Sequence, residues 1–306
     1  MPKRKALPEY LCTCGHALAV HAHDGIVAKE CCGRNCLRGK LAMTMTKVVV
    51  HLSGGAASWM AGKRAAAKYG TEGMVCLFAD TMSEDEDTYR FLPEAAANIG
   101  APLVRLADGR TIWEVFRDER FLGNRSIAPC SRILKREIMD DWIKTNAPDS
   151  IQVFGFDWHE AHRLERMRQI RPDLRIEAPL LDKPLLMKSQ ILAMLRGEGI
   201  TPPRLYAMGF DHNNCGGGCV KAGQASFALL LRVMPKRFRE WEEHEAALIG
   251  QLGKNAHILT DRRGGGKEPL TLRHRRERIE MQGTFDREDW GTCGCFQTEG
   301  MPREAP

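Results

Sequence analysis

The sequence of 306 residues contains no long hydrophobic run. Its longest apolar stretches, such as residues 227–231, fall far short of the roughly 20 residues that a membrane-spanning helix requires. No apolar signal region follows the basic residues 3–5, and no internal repeat or low-complexity segment is evident. With 43% hydrophobic and 27% charged residues, the composition is typical of a soluble globular protein, and we expect a cytoplasmic protein without membrane association.

Acidic residues are slightly outnumbered, since 39 Asp and Glu face 45 Lys and Arg, which gives a net charge of +6. This mild bias favours anionic partners but does not by itself indicate nucleic acid. The 11 cysteines are many for a cytoplasmic chain, and their placement is uneven. In a reducing compartment, clustered cysteines favour metal or redox chemistry over structural disulfides.

Residues 1–43 differ in composition from the rest of the chain, because cysteine and histidine crowd there. Two clusters of such residues around a short loop are typical of a tetrahedral zinc site in a segment too small to fold alone. We expect this zinc-binding unit to use the following ligands, with His16, His21 and Cys32 as alternatives: Cys12, Cys14, Cys31 and Cys36.

From residue 47 onward, short apolar segments alternate with helical patterns. Strands are predicted at 47–52, 74–79, 103–106 and 151–155. Helices are predicted at 57–69, 85–98, 131–145 and 159–169. This alternation indicates βαβ units. We therefore expect residues 44–184 to form a Rossmann-like α/β domain, a parallel sheet with helices on both faces. Residues 185–306 are predicted to be a mostly helical C-terminal region, with helices at 187–197, 221–234 and 236–252.

The first predicted strand runs into a glycine turn at residues 53–58. Gly54 and Gly55 let the backbone approach a ligand closely, and the following helix offers unpaired N–H groups to an anion. Ser53 and Ser58 add hydroxyl groups. The segment contains neither Gly-x-Gly-x-x-Gly nor the Gly-Lys-Ser/Thr of the Walker pattern, and an ordinary βα turn is the alternative.

Polar residues also follow two other predicted strands. Asp80 and Thr81 come after the second strand, where a carboxylate could bind a ribose hydroxyl or a metal such as Mg²⁺, or cap a helix. Gly155 and Asp157 come after the fourth strand, with Arg163 further on as a candidate phosphate contact. Because ligands of parallel sheets bind beyond the carboxyl ends of the strands, these segments predict one nucleotide-sized site.

Cys130 stands near the start of a predicted helix with several cations within one turn. Arg132 and Lys135 are two of these cations, and both are candidates for neutralising phosphate charge. A thiol in such surroundings has a lowered pKa and suits a thiolate, either as a ligand or as a nucleophile.

Further cysteines flank a glycine-rich segment that we expect to be a flexible loop, and two more, Cys293 and Cys295, lie in the tail. Three or four thiolates suit a 4Fe-4S cluster or zinc, and a redox dithiol is a third interpretation. Spacing alone does not decide among them. The predicted set is Cys130, Cys215, Cys219 and Cys295.

Basic residues cluster at positions 262–278, with three glycines among them. Two interpretations are open. The segment is a solvated loop and helix face, or it is a surface that contacts the phosphates of a nucleic acid.

Taken in order, these segments resemble the phosphoadenosine phosphosulfate (PAPS) reductase-like branch of the adenine nucleotide α-hydrolase superfamily, over about residues 47–225. Residues 53–58 look like its PP-loop, Ser-Gly-Gly-x-Asp-Ser, and residues 80–91 resemble its Asp-Thr-Gly segment and acidic helix. Residues 179–219 look like its Pro-Leu…Leu-Tyr…Gly…Cys-x-x-Cys ending. Ala57 stands at the Asp position of the loop, and three residues rather than two separate Cys215 from Cys219.

The resemblance implies an enzyme that binds an adenine nucleotide, either ATP or PAPS and its relative adenylyl sulfate (APS), and carries out sulfur transfer or reduction. Cys130, Lys135 and Cys295 are the candidates for the chemical step. One alternative is ATP-dependent adenylation and thiolation of a nucleobase or RNA. Another is a non-catalytic, zinc-containing protein that binds nucleic acid. A homodimer is among the expected assemblies.

Overall fold

The structure is a computed structural model that describes residues 9–11, 17–19, 46–253, 256–263 and 265–282. Within these ranges the chain divides into two compact units that interleave along the sequence. Unit 1 comprises the described residues that fall within Met1–Asp80, Glu86–Gly109 and Glu137–Pro203. Unit 2 comprises those that fall within Thr81–Asp85, Arg110–Arg136 and Arg204–Pro306. Several predicted ligands lie outside the described residues, namely Cys12, Cys14, Cys31, Cys36, Cys293 and Cys295.

The described strands of unit 1 form one sheet. They are β1 (Glu9–Leu11), β2 (Ala17–Ala19), β3 (Val48–His51), β4 (Met74–Asp80), β5 (Leu103–Ala107), β6 (Ile151–Val153) and β7 (Arg175–Glu177). Their order is β2-β1-β5-β4-β3-β6-β7. The strands β5, β4, β3, β6 and β7 are parallel, whereas β1 pairs antiparallel with β5 and with β2. This five-stranded parallel sheet confirms the α/β, Rossmann-like prediction.

The central strand β3 shows why the sheet forms. Its residues Val48, Val49 and Val50 are β-branched and almost fully buried, as expected of a strand that is covered on both faces. Val48 pairs with Met74 of β4 on one side and with Ile151 of β6 on the other. The strand β3 therefore lies between β4 and β6 and pairs with both.

The described helices follow the predicted pattern in part. They are α1 (Ala56–Tyr69), α2 (Glu86–Ile99), α3 (Ile112–Asp118), α4 (Pro129–Ser131), α5 (Ile138–Asn146), α6 (Ala161–Ile170), α7 (Lys188–Gly197), α8 (Arg204–Ala207), α9 (Gln224–Val233), α10 (Pro235–Leu252) and α11 (Leu272–Gln282). The helix predicted at 131–145 is interrupted by a π-helical turn, Arg132–Glu137, between α4 and α5. None of the described helices combines the length and apolarity needed to cross a bilayer.

Unit 2 has an apolar core of its own, which includes the aromatic side chains of Trp113, Phe116, Phe227, Phe238 and Trp241. Trp241 lies edge-on to both Trp113 and Phe227, with ring centroids 4.9 and 5.7 Å away. The unit also contains a hairpin of β8 (Leu259–Asp261) and β9 (Glu268–Leu270), which the sequence did not predict.

Candidate nucleotide site and thiol pair

The strand order brings two of the predicted segments to neighbouring strand ends in unit 1. The chain moves from β3 outward through β4 to β5, then returns to β6 on the other side of β3. Such a reversal is a topological switch point, where open α/β sheets bind their ligands. The loops after β3 and β6 carry residues 53–58 and 155–157, so both lie at this switch point.

The 53–58 loop is braced internally by its two serines. The buried Ser58 hydroxyl donates to the Gly55 carbonyl oxygen over 2.8 Å and accepts from the Ser53 N–H over 3.2 Å. The Ser53 hydroxyl donates to the Ser58 hydroxyl oxygen over 3.3 Å. Ser53 is exposed. Gly54 has φ +80°, a conformation that favours glycine. Ser58 thus shapes the loop, whereas Ser53 presents a hydroxyl at its surface.

Gly155 contacts this loop through backbone alone. A Cβ added at Gly155 would lie 2.7 Å from the Ser58 nitrogen and 2.8 Å from its Cα. Only glycine allows the chain after β6 to approach the start of α1 so closely. The N-cap residue there is Gly55, which has no side chain with which to cap the helix. The N–H groups of a helix N-terminus favour an anion.

Asp80 at the end of β4 is held by other side chains of unit 1. Its carboxylate is fully buried and accepts hydrogen bonds from the Tyr89 hydroxyl over 2.9 Å and from Arg105 Nε over 2.9 Å. The sheet register explains the second contact, because Phe78 pairs with Arg105 two residues before Asp80. Sequence reasoning missed Arg105, although a lone arginine within an apolar strand is a signal that it needs an acid partner. The predicted ribose or metal contact of Asp80 stays a prediction.

The segment after β6 combines a local cap with a buried cation. Asp157 caps a 3-10 turn by accepting the His159 N–H over 3.0 Å. Arg163 forms an ion pair with Glu160, and its guanidinium lies 4.7 Å from the centroid of the Phe156 ring. The Arg163 side chain is buried, and its Nε finds no hydrogen-bond acceptor among the described residues. Arg163 therefore retains an N–H donor for an anionic ligand.

In unit 2, Cys215 and Cys219 form a thiol pair. Their side chains are hydrogen-bonded to each other. Cys215 is buried and Cys219 is partly exposed. The hydrogen bond to Cys219, then burial, then the Glu84 carboxylate raise the pKa of the Cys215 thiol well above its usual range, against an opposing effect of Lys135. The Cys215 thiol is therefore protonated at neutral pH.

Glu84 is the acceptor on which several groups of unit 2 converge. Its buried carboxylate accepts the Thr81 hydroxyl over 3.0 Å and the Cys215 N–H over 2.6 Å. It also forms an ion pair with Lys135, with 3.5 Å between Nζ and Oε1. Glu84, which lies just before the helix predicted at 85–98, thus engages Thr81 and Lys135, both predicted site residues. No local sequence signal distinguishes Glu84 from its acidic neighbours.

Two further predicted site residues, Cys130 and Arg132, also belong to unit 2. Cys130 belongs to the buried apolar core, and Arg132 forms an ion pair with Glu119 over 2.5 Å. Across the described ranges, no three or more His, Cys, Asp or Glu side chains are grouped so as to hold a metal ion. Cys130, Cys215 and Cys219 alone therefore do not fit an iron–sulfur cluster or a closed zinc site. Both metal sites stay predictions that depend on residues beyond the described ones.

Two carboxylates pair with four arginines of the basic segment at 262–278. Arg263 and Arg278 both form ion pairs with Asp261, at 3.1 and 2.5 Å. Arg276 pairs with Glu242 at 2.8 Å, and Arg273 approaches the same acid at 3.7 Å. This arrangement favours a solvated, internally paired surface over a phosphate-binding one.

The sequence matches no family model and no curated protein. The fold and the site therefore define the class of this protein. It is an α/β protein with a parallel, Rossmann-like sheet. A glycine–serine loop lies at the switch point of that sheet.

Proposed function

We propose that this chain is a PP-loop enzyme that binds an adenine nucleotide and carries out sulfur transfer or reduction. The observation that carries the proposal is the 53–58 loop at the switch point of the sheet, in backbone contact with Gly155. An ordinary βα turn has no need for a second glycine from a neighbouring strand end. A phosphate cradle does need such close backbone approach.

The same residues supply a chemical rationale for holding phosphate. The N–H groups of the first turn of α1 and the Ser53 hydroxyl are donors for phosphate oxygens. The Nε–H group of the buried Arg163 is a further donor, and it belongs to a positively charged guanidinium. Donors that are fixed in place by the loop would also stabilise charge that develops during attack at a phosphoryl or sulfuryl centre.

Two features support PAPS or APS as the nucleotide in preference to cleavage of ATP. Ala57 has no carboxylate at the position where the PP-loop pattern has Asp. Asp80 already accepts hydrogen bonds from Tyr89 and Arg105. Neither position therefore offers an available carboxylate for the Mg²⁺ that commonly accompanies the phosphates of ATP.

The sulfur step is assigned to the chain's own thiols. A 4Fe-4S cluster, if held by Cys215, Cys219 and further cysteines, would supply electrostatic or electron-transfer chemistry. The described thiols do not complete such a set. Cys130 lies in the core and Lys135 pairs with Glu84, so the tail thiol of Cys295 is our candidate nucleophile.

Calorimetric titration of the full chain with PAPS, APS, ATP and GTP tests the proposal. We expect the adenine nucleotides to bind and GTP to bind more weakly. Ser53→Ala should weaken binding about tenfold, the cost of one hydrogen bond to a charged group. Ser189→Ala, an exposed serine of α7 in the same unit, is the matched control and should leave affinity unchanged.

Product analysis then separates the competing reactions. Release of sulfite from PAPS or APS in the presence of a dithiol reductant supports sulfur reduction. Release of pyrophosphate from ATP, with no reaction of PAPS or APS, would support the adenylation alternative instead. Absence of binding by every adenine nucleotide would reject the proposed function altogether.

A further inference from the structure

The triple-glycine segment of unit 2 folds back on itself and brings two thiols together. Cys215, Gly216 and Gly217 have φ values of +48°, +56° and +84°, three successive residues in a region that non-glycine residues rarely adopt. The Gly218 N–H donates to the Cys215 carbonyl oxygen over 3.1 Å and closes the turn. The sharp reversal places the Cys219 thiol in hydrogen-bond contact with the Cys215 thiol.

This segment is packed, not flexible as the sequence pattern predicted. An added Cβ would lie 2.1 Å from the Arg237 guanidinium at Gly216, 2.8 Å from Phe210 at Gly217 and 2.6 Å from Trp241 at Gly218. Each glycine therefore lies against a different side chain that leaves no room for a methyl group. Arg237 also donates to the Cys215 carbonyl oxygen over 3.4 Å. The aromatic neighbours of Gly217 and Gly218 favour glycine at both positions, and this packing holds the turn that connects the two thiols.

We propose that Cys215 and Cys219 form a reversible intramolecular disulfide, so that unit 2 carries a two-electron redox centre. A disulfide joins two sulfurs, and the turn brings two thiol side chains together, whereas a metal site needs a third and fourth ligand, which the described residues do not group there. The proposal goes beyond nucleotide binding and does not depend on it, because every residue that carries it belongs to unit 2.

Oxidation proceeds through the more accessible thiol. A hydroperoxide oxidises the partly exposed Cys219 sulfur to a sulfenic acid and is itself reduced to an alcohol or water. The Cys215 sulfur then attacks the Cys219 sulfur, the S–O bond breaks, and water leaves with the Cys215 proton. Two thiols and one peroxide thus give one disulfide and the reduced peroxide products.

Reduction by an external dithiol reverses the change. The dithiol attacks the accessible Cys219 sulfur and displaces Cys215 as a thiolate, and the resulting mixed disulfide is resolved by the second thiol of the reductant. The Lys135 cation opposes the rise in the Cys215 pKa but does not outweigh Cys219 and burial, so Cys215 takes up a proton as it leaves. Both directions therefore use residues that the structure brings together.

Peptide mass mapping of the full chain, without nucleotide, tests the proposal. Trypsin cleaves after Arg204 and Lys221, so residues 205–221 form one peptide that contains Cys215 and Cys219 and no other cysteine. After treatment with one equivalent of hydrogen peroxide, we expect this peptide to lose two hydrogens and to resist alkylation. Dithiothreitol should restore both thiols. Cys76 is the internal control, because burial raises the pKa of its thiol to about 12 and should keep it unmodified.

Two variants sharpen the test. In Cys215→Ser, Cys219 has no resolving partner, so its sulfenic acid should accumulate and react with a 1,3-dione trap. In Cys219→Ser, Cys215 should stay reduced. The proposal is overturned if the wild-type peptide keeps both thiols alkylatable while circular dichroism shows an intact fold. It is also overturned if the purified wild-type chain holds stoichiometric metal or iron–sulfur that Cys219→Ser removes.

Discussion

Arg105 on β5 donates from Nε to the buried carboxylate of Asp80 on β4, across 2.9 Å. The guanidinium also lies 4.9 Å from the centroid of the Tyr89 ring, whose hydroxyl donates to the same carboxylate. Asp80, for which the sequence predicts contact with a ribose or a metal, or a helix cap, therefore forms an ion pair between its buried carboxylate and the partly exposed guanidinium of a neighbouring strand. Its first role is to hold the ends of β4 and β5 together.

Removal of the Asp80 carboxylate should destabilise the protein more than removal of the whole pair. Asp80→Ala leaves Arg105 without its buried acid and should lower the free energy of unfolding by about 3 kcal/mol. The double variant Asp80→Leu/Arg105→Met should recover part of that loss, because no charge is then left unpaired. Urea unfolding measures both values. A double variant no more stable than Asp80→Ala would contradict the ion-pair role.

Gly155→Ala should distort the candidate nucleotide site and destabilise the protein. The new methyl group would lie 2.7 Å from the Ser58 nitrogen. This nitrogen is a backbone atom, so no change of side-chain rotamer can relieve the clash. We expect a loss of about 2 kcal/mol in stability and a clear weakening of nucleotide binding. The matched control is Gly197→Ala in α7, where an added Cβ meets nothing within 4 Å. Equal effects of the two substitutions on affinity would argue against the loop contact.

His51 should make the protein less stable in mild acid. Burial lowers the pKa of this β3 residue from 6.5 to about 4, although its hydrogen bond to Gln152 opposes the shift. Between these values the unfolded chain binds a proton that the folded chain does not, so stability falls as pH drops from about 6.5 to 4, by about 3 kcal/mol in full.

The matched measurement is urea unfolding of wild type and His51→Gln at pH 7 and at pH 4.5. Gln has no group that titrates in this range, so the gap in stability between wild type and variant should narrow as the pH is lowered. Parallel pH profiles for the two proteins would show that the pKa of His51 is not lowered in the folded state.

Glu245 should have the opposite dependence on pH. Burial raises the pKa of this α10 residue from 4.5 to about 7, against the N–H groups of Leu272 and Ile258 that donate to its carboxylate. The folded chain then holds a proton that the unfolded chain has released. The resulting stabilisation is complete below pH 4.5 and is lost as the pH rises through 7.

Unfolding of Glu245→Gln and wild type across pH 5 to 8 measures this effect. Gln cannot ionise, so the free energy of unfolding of Glu245→Gln relative to that of wild type should rise with pH, by about 3 kcal/mol at most. Glu243→Gln, an exposed neighbour on the same helix, is the control and should follow wild type. A constant offset between Glu245→Gln and wild type would contradict the raised pKa.

The elements that could be predicted are those with a strong local signal. The strands β3 to β6 are compact apolar runs, and they lie within a few residues of the predicted positions. The short strand β7, Arg175–Glu177, was missed because its sequence is polar and its pairing with β6 is a long-range property. Helix α3 was also missed, although its capping box of Thr111 and Glu114 is a signal in the sequence.

Some features of the candidate site could likewise be predicted from the sequence, and others could not. Glycine and serine at 53–58 mark a loop after a strand, and a resemblance to the PP-loop can be stated from those residues alone. Which strands flank that loop depends on the order of the sheet, which no local pattern contains. The partners of the acids likewise come from distant segments, as with Arg105 for Asp80 and Lys135 for Glu84.

The sequence by itself determined the alternation of strand and helix, and it identified the glycines and thiols with unusual spacing. Hydrophobic periodicity and backbone freedom are local properties, so they can be recognised in the chain. The tertiary structure alone decided that Gly155 lies against Ser58 and that the segment from Cys215 to Cys219 is packed. Close packing and the pairing of buried charges join residues far apart in the chain, and these physical requirements are met only when the chain has folded.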